Sequence, residues 1–247
     1  MRRFAPVAWM AALVLGMLVH GPIHQPPGYH DFADRRAWLG VANASDVLSN
    51  AAFLAAALWA FARLFAVPRA QRSTAWRGFF VFAIAIALTA AGSAYYHLAP
   101  DDARLVWDRL PIALACAGLL AAVHAQTHAR SPAALLPVLV VAAIASVEWW
   151  NATRLQAGGD LRPYLLFQAA LVLVPLWQWI HGSPRAERIA FGAAIVLYAA
   201  AKACEAADQP IYAALGFVSG HTIKHLLSAA AALAIAGRFD PGPTPPR

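Results

Sequence analysis

The chain is short of charge. Charged residues fill 13% of its 247 positions, about half the share of an average soluble domain. Acidic residues number 12 against 19 basic ones, giving a formal net charge of +7. Lysine is nearly missing, with Lys202 and Lys224 the only two, so the basic residues are almost all arginine. The two cysteines, Cys116 and Cys204, sit inside apolar stretches and read as small buried side chains. One pair so placed carries little information on redox compartment. No internal repeat is evident, and no loop is long enough to hold an inserted soluble domain.

What fills the space is apolar. Hydrophobic residues make up 61% of the chain and fall in long blocks, without the short alternation of a soluble core. Blocks of about 17–25 residues match a hydrocarbon layer ~30 Å thick. Eight are predicted: Phe4 to Val19, Val47–Phe65, Gly78–His97, Leu105–His124, Ala133–Trp150, Pro163–Ile180, Ile189–Ala206 and Tyr212–Ala236. The expected fold is all-α, a polytopic membrane helix bundle with a seven-helix core and one extra N-terminal helix. Residues 1–28 then form the N-terminal helix and loop, 29–238 the seven-helix domain, and 239–247 a proline-rich disordered tail. Arg2 and Arg3 before an apolar run also resemble a secretory signal. The stretch from His20 to Pro27 offers no small-x-small cleavage site, so a retained helix is expected.

The basic balance does not point to nucleic acid, because the arginines sit in short loops between apolar blocks. Arg2 and Arg3, then Arg63, Arg69, Arg72 and Arg77, then Arg130, Arg185, Arg188 and Arg238 fall at alternate loops or termini. The positive-inside rule makes these cytoplasmic. Asp31, Asp34, Asp101, Asp102, Asp160 and Asp208 occupy the opposite loops.

An ionisable group in hydrocarbon costs about 2.5–3.5 kcal/mol on insertion scales, so such groups are candidates for function. Three stretches interrupt the apolar helices: Gly92-Ser93-Ala94-Tyr95-Tyr96-His97, Trp107-Asp108-Arg109-Leu110-Pro111, and His221-Thr222-Ile223-Lys224-His225. Ser93 and His97 are four apart and share a helical face, as do His221 and His225. Two histidines at i, i+4 can present nitrogens to one metal, and a third from a facing helix leaves a fourth position open, the pattern of catalytic zinc. A short loop between His97 and Asp108 returns the chain to the same depth. Plainer roles exist for each residue. A histidine pair can be a simple polar contact, Ser93 can bond its own helix, and Asp108 can cap a helix or pair with Arg109. Lys202 and Glu205 are expected to pair with each other or line the cavity, and Lys224 to face away from the histidines. Glu148, Trp149 and Trp150 read as an interfacial belt. Tyr96 and Trp107 read as interfacial anchors or pocket walls.

The order Gly-Ser-x-x-x-His, Asp-x-x-Pro, His-x-x-x-His resembles the alkaline ceramidases and the wider CREST superfamily, which includes the adiponectin receptors. The segment Asn43-Ala-Ser-Asp-Val-Leu-Ser49-Asn50 is similar to the ceramidase segment ending in Ser-Asn. The resemblance spans about residues 29–238 and is closest to bacterial ceramidase-like members. It implies zinc on His97, His221 and His225, with Ser93 and Asp108 beside the reactive water. It implies an integral membrane hydrolase acting on a lipid amide within the bilayer, in a bacterial inner membrane. Alkaline ceramidases also hold calcium near the start of the core, on an acidic Asp-Trp-Cys-Glu stretch and a downstream glutamate. Here Asp31 and Asp34 stand in a different stretch and Asn43 replaces the glutamate, so these three are the calcium candidates and little calcium dependence is expected. Two non-enzymatic alternatives stand beside hydrolysis. A zinc-containing lipid receptor would use the same site, whereas a haem carrier would need histidines facing each other across two helices.

The charge pattern predicts a cytoplasmic C-terminus. A phosphatase fusion after residue 247, active only outside the cytoplasm, should be silent, and a fluorescent protein at the same place should glow. The reverse result would invert the orientation.

Overall fold

The structure is a computed structural model that describes residues 5–128 and 133–239. Arg2, Arg3, Arg130 and the tail 240–247, used above for orientation and disorder, lie outside the described residues.

Those residues form α-helices and no strand beyond one isolated bridge between Trp38 and Val41. The helices are α1 (Ala5–His20), α2 (Ala44–Leu48), α3 (Ala51–Ala66), α4 (Trp76–Leu98), α5 (Asp102–His128) and α6 (Leu135–Ala157). They continue with α7 (Arg162–Val172), α8 (Val174–Ile180), α9 (Arg185–Ala206), α10 (Asp208–Leu215) and α11 (Gly220–Ala236). Helices are the expected solution in hydrocarbon, because each backbone N–H and C=O finds its partner within the same segment. Five of them qualify as membrane spans by length and composition, with α2 and α3 counted together, and six if α7 and α8 form one bent span. The chain is thus a multi-pass membrane helix bundle, while the eight spans read from sequence reduce to five or six by these measures.

The difference has local causes. The sixth predicted span bends by 41° between α7 and α8. Pro175 lies in the first turn of α8, and having no N–H it cannot continue the ladder from α7. The last predicted span is two helices. Gly216 ends α10 in the left-handed conformation (φ 75°), and Ser219 starts α11 by accepting a hydrogen bond from the Thr222 N–H. The 17 residues of α11 rise about 26 Å, short of a full hydrocarbon layer.

Large apolar side chains lie outside the bundle as well as within it. Leu54, Leu58, Trp59, Leu88, Val138, Val141 and Val196 point outward, while alanines such as Ala56, Ala60, Ala83, Ala117 and Ala122 are buried. Small residues let membrane helices approach closely where lipid offers no hydrophobic drive to associate. At one end of the α4/α5 pair, a Cβ on Gly78 would lie 2.7 Å from the Gly118 carbonyl oxygen. At the other end, a Cβ on Gly92 would collide with the Trp107 carbonyl oxygen. Pro111, four residues on, supplies no N–H to that carbonyl. Pro111 and Gly92 therefore act at one point, a carbonyl without its usual i+4 donor and a bare Cα, where the two helices meet beside Ser93 and Asp108. The far end is closed by Phe239, fully buried with its ring 4.5 Å from that of Phe79. Packing thus continues one residue past the boundary set at 238.

A side chain at 92 should be costly. Gly92→Val is expected to lower stability by about 1–3 kcal/mol, the usual range for overpacking. Gly192, where a Cβ meets nothing within 4 Å, should accept alanine without loss. Thermal melts of both variants in detergent check this, and equal melting points would remove the proposed close contact.

Candidate metal centre

The site is assembled at the end of the bundle where α4 finishes and α3, α5 and α11 begin. His97 lies in the last turn of α4, and His221 and His225 in the first two turns of α11. All three are buried. The face of α11 is set by its first turn. Ser219 caps it, and the Asp208 carboxylate accepts from the His221 N–H at 2.7 Å. An anion at a helix N-terminus also meets the positive end of the dipole.

Each of the three histidines offers one ligand atom, and these atoms lie within 4.8 Å of one another. His97 Nε2 and His221 Nε2 are 3.1 Å apart. A tetrahedral ion with Zn–N bonds of about 2.0–2.1 Å places its nitrogens about 3.3 Å apart, so the spacing fits. His225 Nδ1 is hydrogen-bonded to Ser49 Oγ at 2.7 Å, whereas its Nε2 is buried without a partner. A buried imidazole nitrogen held by its other nitrogen and lacking an acceptor or donor is what a metal ligand looks like. The group of His97, His221 and His225 can hold a metal ion, and three imidazoles suit zinc, copper, iron or nickel.

Ser93 and Asp108 are both buried. Ser93 is one turn before His97 on α4, and the Asp108 backbone nitrogen lies 3.7 Å from a Cβ built on neighbouring Gly92. The two thus occupy adjoining turns of α4 and α5. Among the described residues no ion pair joins Asp108 to Arg109: Arg109 donates to Gln25 Oε1 at 2.9 Å and stacks 4.0 Å over the Trp150 ring. Trp150 is therefore a buried platform and not part of an interfacial belt. Trp149 is half exposed, with its indole on Asp160.

The loop before α2 closes the site. Phe32 packs against the rings of His97 and His221, with centroids 4.7 and 4.4 Å away. Asp208 holds the loop through the Ala33 N–H at 2.8 Å, and His30 bridges Tyr96 and Asp102. Tyr96 is fully buried there, while Trp107 stays exposed. The calcium candidates belong to this same cover. Asp31 pairs with Arg35 at 2.9 Å. Asp34 is fully buried and takes a two-pronged contact from Arg36, at 2.8 and 2.6 Å. The Arg36 guanidinium holds the Asp34 carboxyl below the usual carboxylate range. Asn43 donates its side-chain amide to the His97 carbonyl at 2.8 Å. Asp31 and Asp34 thus each face an arginine, while Asn43 uses its amide nitrogen and keeps its amide oxygen.

Two further departures from the sequence reading matter. Lys202 and Glu205 do pair, but Lys224 does not face away: its Nζ is 3.2 Å from His221 Nε2. Residues three apart are helix neighbours, so the spacing itself carried that signal. Asp46, fully buried, accepts from Thr222 Oγ1 at 2.6 Å and so ties α2 to α11.

No protein-family model matches the chain, and no curated protein or solved structure matches it.

Purified protein is expected to carry about one metal ion per chain. Elemental analysis of His221→Ala and His225→Ala should find most of it gone, and Ser49→Ala should lower affinity by about 10–100-fold, the usual cost of losing a partner of a ligand. Full occupancy in both histidine variants would dismiss this ligand set.

Proposed function

We propose that the protein is a zinc-dependent membrane amidohydrolase that cleaves the N-acyl amide of ceramide-like lipids to a long-chain amine base and a fatty acid. The observation that carries this reading is the buried three-histidine group with a buried serine and a buried aspartate on adjoining turns. The motif order that resembles the alkaline ceramidases supports it. Zinc on His97, His221 and His225 would supply a Lewis acid for the amide carbonyl and a water of lowered pKa.

The remaining work falls to the chain. The Asp108 carboxylate accepts the proton of the attacking water and returns it to the leaving amine nitrogen. The Ser93 hydroxyl donates to the oxygen that gains charge as the carbonyl carbon becomes tetrahedral. Ser49 fixes the ring of His225, and Asp208 fixes the start of α11. The Phe32 cover keeps bulk water from the site, which strengthens these contacts. With both termini cytoplasmic, the site falls in the outer half of the membrane, where a lipid amide can enter sideways without leaving the bilayer.

In a fatty-acid release assay on detergent-dispersed long-chain ceramide, Asp108→Asn should lose about 10²–10⁴-fold in turnover and keep its zinc. Ser93→Ala should fall less. Turnover at the parent rate in a zinc-loaded Asp108→Asn variant would refute the role of Asp108. A parent that releases no fatty acid from any acyl amide would favour a zinc-containing lipid receptor.

A further inference from the structure

Lys224 carries a cation to the metal group. It is the residue between the two histidines of α11 whose Nζ reaches His221 Nε2 at 3.2 Å, the same nitrogen that faces His97. Its second contact is Glu205 Oε1 on α9, at 2.8 Å. The other oxygen of Glu205 is paired with Lys202. One carboxylate between two ammonium groups leaves a positive charge over. Lys202 has half of its side chain exposed, but Lys224 only 16%, so Lys224 has little solvent to share that charge with. No ion pair joins Lys224 to Asp108 among the described residues.

An ammonium has three donors and no acceptor. One donor of Lys224 goes to Glu205 and one to the lone pair of His221 Nε2. A metal held by His221 through Nε2 would take that lone pair, and Lys224 would then lack an acceptor. A largely buried charged donor left unpaired is costly. The loss is repaired if an oxygen beside His221 accepts in its place, and a negatively charged oxygen repairs it best.

We infer that Lys224 binds the anionic oxygen of an acyl ligand: the oxyanion that develops on the scissile carbonyl, and the carboxylate of the fatty acid released. The inference rests on the acyl-amide reading of the site and deepens it, since it makes Lys224 a second oxyanion donor beside Ser93. It also implies a site that holds its acid product more tightly than a neutral amide of the same chain.

The test is calorimetric binding of palmitate and of palmitamide to the zinc-loaded, full-length protein in detergent. Lys224→Met should weaken palmitate binding by about 10–100-fold, in keeping with the loss of a charged hydrogen bond, and change palmitamide binding by less than about 3-fold. Lys224→Arg should restore most of the palmitate affinity. Zinc content is measured alongside, and if the methionine variant loses its metal, Lys224→Gln takes its place in the comparison. Unchanged palmitate affinity, or equal loss of both ligands, would overturn the assignment and leave Lys224 a structural partner of Glu205. A selective palmitate loss in a protein that hydrolyses no amide would keep the lysine's role and sink the hydrolase reading. A parent that binds neither ligand would overturn both.

Discussion

In hydrocarbon a polar side chain persists only by finding its partners inside the protein, and the arrangement at one end of this bundle follows from that constraint. His97, His221, His225, Asp46, Asp108 and Asp208 are all buried. They are concentrated where α4 ends and α3, α5 and α11 begin, and the helix ends there are used as partners. Asp208 takes the free N–H of His221, Asn43 donates to the last-turn carbonyl of α4, and Ser219 and Thr222 meet Asp46. What these bonds leave unsatisfied is informative. The Nε2 of His225 remains buried without a partner, and a metal ion is the group that would complete it.

The same economy shapes the helix contacts. Pro111 withholds the usual helical donor from the Trp107 carbonyl, and Gly92 gives that oxygen room. The two residues are 19 positions apart in sequence and act at one point in space, which sets how closely α4 and α5 approach beside Ser93 and Asp108. Farther along the pair, Gly78 and Gly118 repeat the close approach. Large apolar side chains such as Leu58, Trp59 and Val141 can also face lipid, which costs nothing there.

Much of this was legible in the sequence. Long apolar blocks gave the helices, and the i, i+4 spacing gave the shared faces of Ser93 with His97 and of His221 with His225. The short connection from His97 to Asp108 gave their common depth. The break before α11 was hidden because its flanks are apolar, so hydropathy runs on through Gly216 to Ser219, although the Ser219-x-x-Thr222 cap was there to be read. Lys224 was misplaced by attending to the four-residue repeat and overlooking the three-residue one. The partners of Arg109, namely Gln25 and Trp150, come from segments far along the chain, and no local pattern encodes them.

The central claim is that His97, His221 and His225 bind one zinc ion together. Zinc K-edge X-ray absorption on the purified protein tests it most directly. The account predicts a first shell of three imidazole nitrogens and one oxygen at about 2.0–2.1 Å with no sulfur, and the disappearance of that shell in His225→Ala. A thiolate shell near 2.3 Å, or an unchanged imidazole shell in His225→Ala, would contradict it.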